Sequence, residues 1–171
     1  MISKTAKESL TIQTQIVMPN DTNPMGNLFG GQLLLWMDLV ASVSAKRHCG
    51  SITVTASVNN VSFNVPIERA SILTLQAKVS RAFKTSMEIF IDVWVESYSG
   101  AKVKCNEAIY TFVAMDMNGK AIAVPELIPE TEEEKSRYDG ALRRKQLSLI
   151  LAGKLNPSEA TELRALFFKD E

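Results

Sequence analysis

The sequence predicts an α+β fold in which an antiparallel sheet wraps around one long helix, with a helical extension after it. Three observations carry this prediction. Four stretches in the middle of the chain alternate apolar and polar residues with the period of a strand. One stretch before them is apolar around its whole circumference when read as a helix. Beyond about residue 128 the composition shifts to charged segments with helix-capping signals.

In chain order, a weak strand pattern opens the sequence over Leu10 to Val17. The loop MPNDTNPMGNLFGG follows, and then the helix candidate from about Gly30 to His48, about 27 Å long at 1.5 Å per residue. Its apolar residues point in nearly every direction, which predicts burial on all sides and hence enclosure by the sheet. The four strand patterns are Ile52–Val58, Ile72–Phe83, Met87–Tyr98 and Val103–Met115. Met87, Ile89, Ile91, Val93 and Val95 make the clearest apolar face, opposite Glu88, Asp92 and Glu96. Gly100 and the Asn118-Gly119 pair read as tight turns, so these strands should run antiparallel through hairpins. Past Pro129, Thr131 with Glu134 and Asn156-Pro157 with Glu159 read as two capping boxes, which predicts a helix pair broken over Gly153 to Asn156. The chain thus divides into residues 1–128 and an extension, 129–171.

Composition narrows the function. The 171 residues carry 19 Lys and Arg against 19 Asp and Glu, and 46% of them are hydrophobic. A chain of this length buries roughly 70% of its unfolded surface, enough for a core without staples, so Cys49 and Cys105 are not needed as a disulfide. Zero formal charge and the lack of a basic face argue against nucleic acid as a partner. No signal-peptide core or membrane-length apolar run is present, which predicts a soluble, cytoplasmic protein that does not engage a membrane.

The residue that stands out is Asp38, the only charged side chain between Gly26 and Ala45. An ionised carboxylate in an apolar helix is hydrogen-bonded, neutralised or placed at a functional cavity. It is either a structurally held acid or a general base or nucleophile. Upstream, Asn23, Gly26, Gly30 and Gly31 lead into the helix, whose first amides and positive dipole suit an oxyanion. A neutral amide, free N–H donors and a carboxylate are the parts that acyl transfer needs. The sole histidine, His48, follows Lys46 and Arg47 at the helix end and reads as a surface residue. One histidine and no cysteine pair give little support to a metal site or a Ser-His-Asp triad, and no glycine-rich nucleotide loop is present.

The run Asn23-Pro24-Met25-Gly26-Asn27-Leu28-Phe29-Gly30-Gly31 followed by Met37-Asp38 resembles the signature of the hot-dog-fold acyl-CoA thioesterases of the bacterial short-chain and vertebrate brain-type groups. The similarity continues through Val54-Thr55-Ala56-Ser57-Val58, Phe63 and Pro66, Lys84-Thr85-Ser86, Val93-Trp94-Val95, and Thr111 to Asp116 with Asn118-Gly119. It spans roughly Ser9 to Pro125 and leaves the helical extension outside. The resemblance implies a hot-dog fold, dimers paired through a continuous sheet, and often trimers of dimers. It implies hydrolysis of acyl-CoA to a free acid and CoA with no metal or redox cofactor, CoA entering only as part of the substrate. Asp38 would be the catalytic base or nucleophile, and Asn23 would orient the water or thioester from the opposite subunit. Gly30 and Gly31 would hold the oxyanion, and Thr55 would bring a hydroxyl to the carboxylate. Lys84, Thr85 and Ser86 would contact CoA phosphates, with Arg81 adding charge. The readings from other classes are a non-catalytic acyl-CoA sensor, which normally carries a DNA-binding segment, and a hot-dog dehydratase, which would rely on a histidine paired with an acid.

Overall fold

A computed structural model describes residues 2–59, 61, 63, 65–96 and 100–167. The chain divides into two compact units, Met1–Ile128 and Pro129–Glu171. The first contains β1 (Lys4–Thr5), β2 (Thr11–Ile16), α1 (Gly30–Cys49), β3 (Ile52–Asn59), β4 (Ile72–Ala82), β5 (Ser86–Glu96), β6 (Lys102–Met115) and β7 (Leu127–Ile128). The second contains α2 (Glu132–Leu151) and α3 (Thr161–Arg164).

Five strands form an antiparallel sheet in the order β2-β4-β5-β6-β3, so the edges are β2 and β3. β1 and β7 form a separate two-stranded parallel pair, Lys4 beside Leu127 and Thr5 beside Ile128. β4 and β5 are adjacent antiparallel strands, as are β5 and β6, in agreement with the alternation read from the sequence. The predicted ends of the fifth strand, residues 97 and 98, lie outside the described residues. Gly100 and Gly119 take the left-handed conformation that their turns require, with φ of 81° and 76°.

The core lies between the sheet and α1. Leu73, Leu75, Ala77 and Val79 of β4 and Met87, Ile89, Ile91 and Val93 of β5 are fully buried. Opposite them α1 buries Leu33, Trp36, Met37, Val40, Ala41 and Ala45. Each large aliphatic side chain removed from water in this way contributes roughly 1.5–3 kcal/mol. Gly50 ends the helix in the left-handed conformation, its N–H reaching Lys46 O at 2.8 Å.

Two expectations fail here, both because the apolar residues of one chain exceed what that chain covers. Helix α1 is not enclosed on all sides: Leu35, Leu39 and Val43 form an exposed stripe along it. β3, expected to bury its apolar face, does the reverse. Ile52, Val54 and Val58 are exposed, while Thr53, Ser57 and Asn59 are half-buried. β3 lies at the sheet edge, and no described part of its own chain covers this face.

His48 is a third correction. It sits four residues after Ser44 and eleven after Met37 on the inward side of α1, and it is wholly buried rather than on the surface. Its Nε2–H donates to the Pro125 carbonyl at 2.9 Å. Burial holds its pKa below the ordinary imidazole value, helped by the Lys4 ammonium. The adjacent Lys46 and Arg47 misled the reading, since helical period and not chain neighbourhood decides which side faces in.

In the second unit, Thr131 and Glu134 form the expected reciprocal cap at the start of α2. The break comes where Gly153 turns left-handed, and Lys154 N–H bonds back to Leu149 O at 2.8 Å. The second capping box does not form. Asn156 instead accepts from Ser158 N–H at 3.0 Å and caps a single 3-10 turn, Pro157–Glu159, ahead of the short α3. Phe168, one of the apolar residues in the sequence of this extension, lies outside the described residues.

Candidate active site

Asp38 lies in the middle of α1, half-buried at the border between the inward side and the exposed stripe. Its Oδ1 accepts a 2.7 Å hydrogen bond from the Thr55 hydroxyl of β3. A charge-assisted bond of this length fixes the carboxylate rotamer. Beneath them is β6: Thr55 is paired with Phe112, whose inward neighbour two residues back is Tyr110. The Tyr110 hydroxyl donates to Leu34 O at 3.1 Å, one turn before Asp38. Burial, reinforced by the negative charge of Asp38, pushes the Tyr110 phenol up to about 12. Tyr110 is therefore a neutral donor at physiological pH, and nothing in the strand pattern pointed to it.

Lys84 and Thr85 make the turn between β4 and β5, and Ser86 begins β5. Phe112 pairs with Met87 as well as with Thr55, so this turn lies two strands from Thr55, roughly 10 Å across the sheet. The turn is held from the backbone: Val124 N–H donates to Lys84 O at 3.2 Å and Ala114 N–H to Thr85 O at 3.0 Å. The Lys84 side chain stays exposed. The Arg81 guanidinium stacks over the Phe83 ring, 5.7 Å from its centroid. The structure thus brings Asp38, Thr55, Lys84, Thr85 and Ser86 to one end of the sheet.

Asn23, Gly30 and Gly31 are elsewhere. Asn23 closes the loop before α1, its Oδ1 accepting from Met25 N–H at 2.9 Å and Asn27 N–H at 3.2 Å. Gln32 and Leu33 N–H groups both bond to Phe29 O, which leaves the amides of Gly30 and Gly31 without an intrahelical acceptor. A Cβ on Gly31 would stand 2.7 Å from the Phe29 ring, and one on Gly30 would meet the Phe63 ring at 3.5 Å. Asn23 and Gly30 border a cavity of about 470 Å³ that Phe63 and Asn106 also line. Asn106 escaped the sequence reading; it could have been found as the polar residue in the inward register of β6 with Ala108, Tyr110, Phe112 and Ala114.

Gly30 and Asp38 are about 12 Å apart along α1, and Asn106 is about 20 Å along β6 from Phe112. One chain therefore presents two half-sites, an amide-lined cavity at the helix start and a hydroxyl-anchored carboxylate at its middle. Among the described residues, no three His, Cys, Asp or Glu side chains group as a metal site would need. Nor is any described helix long and apolar enough to cross a membrane.

The Thioesterase superfamily matches residues 25–99. The chain is 42% identical over 139 residues to the uncharacterized acyl-CoA thioester hydrolase YkhA of Bacillus subtilis, covering 81% of each protein. It resembles the crystal structure of an apo-hexameric acyl-CoA thioesterase with a TM-score of 0.86 and 37% identity, over 89% of this chain and 98% of that one. An acyl-CoA hydrolase from Staphylococcus aureus, solved with butyryl coenzyme A, coenzyme A and coenzyme A disulfide, matches with a TM-score of 0.83 and 33% identity, over 89% and 95% of the two chains. Variants of that hydrolase have been solved in which an aspartate, an asparagine and a threonine were each replaced by alanine. With a family match that spans α1 to β5 and relatives that share most of its length, the chain belongs to the hot-dog Thioesterase superfamily.

Proposed function

We propose that this chain hydrolyses acyl-CoA thioesters to a carboxylic acid and CoA, with Asp38 as the catalytic carboxylate. The observation that carries the reading is the 2.7 Å bond from Thr55 to Asp38, which holds a lone acid at the edge of an apolar helix. The three residues altered in the Staphylococcus aureus hydrolase support it, since the intervals between them along that chain equal those between Asn23, Asp38 and Thr55.

In this mechanism Asp38 takes a proton from water as the water oxygen attacks the thioester carbonyl, or attacks that carbon itself. The amides of Gly30 and Gly31 hold the oxygen on which negative charge develops. Collapse of the tetrahedral species breaks the C–S bond, and the thiolate of CoA leaves and takes up the proton that Asp38 holds, which restores the carboxylate; where Asp38 itself attacks, water then hydrolyses the acyl–Asp38 anhydride, freeing the acid and supplying the thiolate's proton. A thiolate needs little help in leaving, which suits a site where His48 is committed to the Pro125 carbonyl. Asn23 orients the water or thioester, while Lys84, Thr85 and Ser86, with Arg81, face the CoA phosphates. Neither step calls for a metal or redox cofactor; CoA is substrate and product.

The half-sites 12 Å apart are completed by a second copy: two chains pair through β3 and the α1 stripe, so that Asn23 and the glycine amides of one meet Asp38 and Thr55 of the other. Three such dimers make a hexamer, a reading supported by the hexameric state of the thioesterase structure the chain resembles. Residues 1–128 form the catalytic domain and 129–171 a helical extension. Unpaired thiols at Cys49 and Cys105 suit a cytoplasmic enzyme.

The test is release of free CoA, followed with a thiol reagent, from acyl-CoAs of graded length. Asp38→Asn should lower kcat by about 10²–10⁴. Wild-type turnover in that variant would sink the mechanism, and a wild-type protein that binds acyl-CoA without releasing CoA would point to the sensor.

A further inference from the structure

The cavity at the start of α1 has an apolar wall built by Leu28, Leu33, Val65 and Ile67, beside the Asn23 and Asn27 side chains of the preceding loop. Its volume of about 470 Å³ falls within the range of small-molecule sites. Asn106 interrupts that wall. It is only 8% exposed, and it lies in the register of β6 that faces α1. Its Oδ1 is taken, accepting from the Glu107 N–H at 2.7 Å. The donor half of the amide, Nδ2, is what remains for the cavity, and among the described residues it has no acceptor. Buried side-chain amides are ordinarily satisfied at both ends. A donor left at the cavity wall is a hydrogen bond that a ligand oxygen would complete, and one that a plain alkyl chain would leave unmade.

The ends of the molecule say which part of a substrate reaches it. In the shared site proposed above, Thr55 and the phosphate-suited turn at Lys84 to Ser86 beside it belong to one copy, whereas Asn106 borders the cavity with Gly30 of the other. A thioester whose carbonyl oxygen rests on the Gly30 amide would send its acyl group into the cavity. Resting on the acyl-CoA hydrolase reading, we propose that Asn106 is a specificity-determining residue. It selects short acyl groups that carry their own hydroxyl or keto oxygen over alkyl groups of the same length. Nδ2 donates to that oxygen; the chemistry at the thioester is unchanged.

The test compares kcat/KM for butyryl-CoA, 3-hydroxybutyryl-CoA and acetoacetyl-CoA in the wild type, Asn106→Leu and Asn106→Ser. The wild type should favour the oxygenated substrates by about tenfold or more, since a site built to hydrogen-bond a substrate group discriminates strongly against its absence. Asn106→Leu should reverse the preference by raising turnover of butyryl-CoA and lowering the other two. Asn106→Ser, with a shorter donor, should fall between and stands in if the leucine variant does not fold. A wild-type ratio near one, or a ratio unchanged by both substitutions, overturns the proposal. Failure of the parent reading looks different, because Asp38→Asn would then leave all three substrates unaffected. Should the wild type turn over none of them, calorimetric affinities for the same three CoA esters give the Asn106 ratio independently.

Discussion

The two sides of α1 carry the same kinds of side chain and meet different fates. Leu33, Met37, Val40 and Ala41 are at most 2% exposed, whereas Leu35, Leu39 and Val43 remain 42–51% exposed. The sheet repeats the contrast, with β4 and β5 burying their aliphatic residues and β3 leaving Ile52, Val54 and Val58 uncovered. Both sets are apolar enough to form a core. What differs is whether the same chain supplies the covering layer, and the uncovered set surrounds Asp38 and Thr55. Exposed apolar area gathered around Asp38 is what the proposed site, shared between subunits, requires.

Substitutions on the two sides should separate these roles. Met37→Ala should cost about 2–5 kcal/mol of stability, read as a lower urea midpoint, because it opens a cavity in a closed core. Leu39→Lys should change the stability of the isolated chain by only about 0.5 kcal/mol. In light scattering, however, it should dissociate the oligomer, and turnover should fall with it. Equal stability losses from the two would erase the distinction. Thr55→Val probes the seam between the sides: removing a hydrogen bond to a charged group should reduce kcat by about 10- to 100-fold, with little change in KM. The smallest effect concerns the inward side alone. Folded His48 binds its proton less tightly than the unfolded chain does, so the unfolded state takes up the proton first as pH falls. The stability it contributes is complete above its ordinary value of 6.5 and declines below it. Urea midpoints between pH 7.5 and 5.5 should show this decline in the wild type, and His48→Gln should flatten it.

Much of this was legible in the sequence, for identifiable reasons. The alternation in β4 and β5 reports burial directly, since a strand with one covered face must place aliphatic residues at every second position. Asp38 stood out because a lone charge in an apolar helix demands an explanation, and the loop glycines marked the helix start. The failures share a cause. Periodicity says which residues face one way, but not what faces them, so β3 and the outer stripe of α1 were read as core. His48 was placed by its charged chain neighbours although its helical phase put it inside. The two-residue strands β1 and β7 are too short to leave a pattern. Asn106 and Tyr110 are placed by contacts far away in sequence, the cavity that Asn106 shares with Gly30 and the Leu34 carbonyl that Tyr110 reaches, which the fold supplies.

The pairing of β1 with β7 has a consequence for how the domain is threaded. Lys4 N–H donates to Glu126 O at 2.9 Å, and Lys4 Nζ reaches the Arg47 carbonyl at 2.8 Å, so the first strand, the helix end and the last strand meet in one seam. The two ends of residues 1–128 are thus stitched side by side. A short linker could join them and new termini could open at a surface turn such as Asn118-Gly119, leaving the site untouched. Because the pair is parallel, anything fused before β1 enters at the end of the pair opposite to the one from which the chain continues past Ile128.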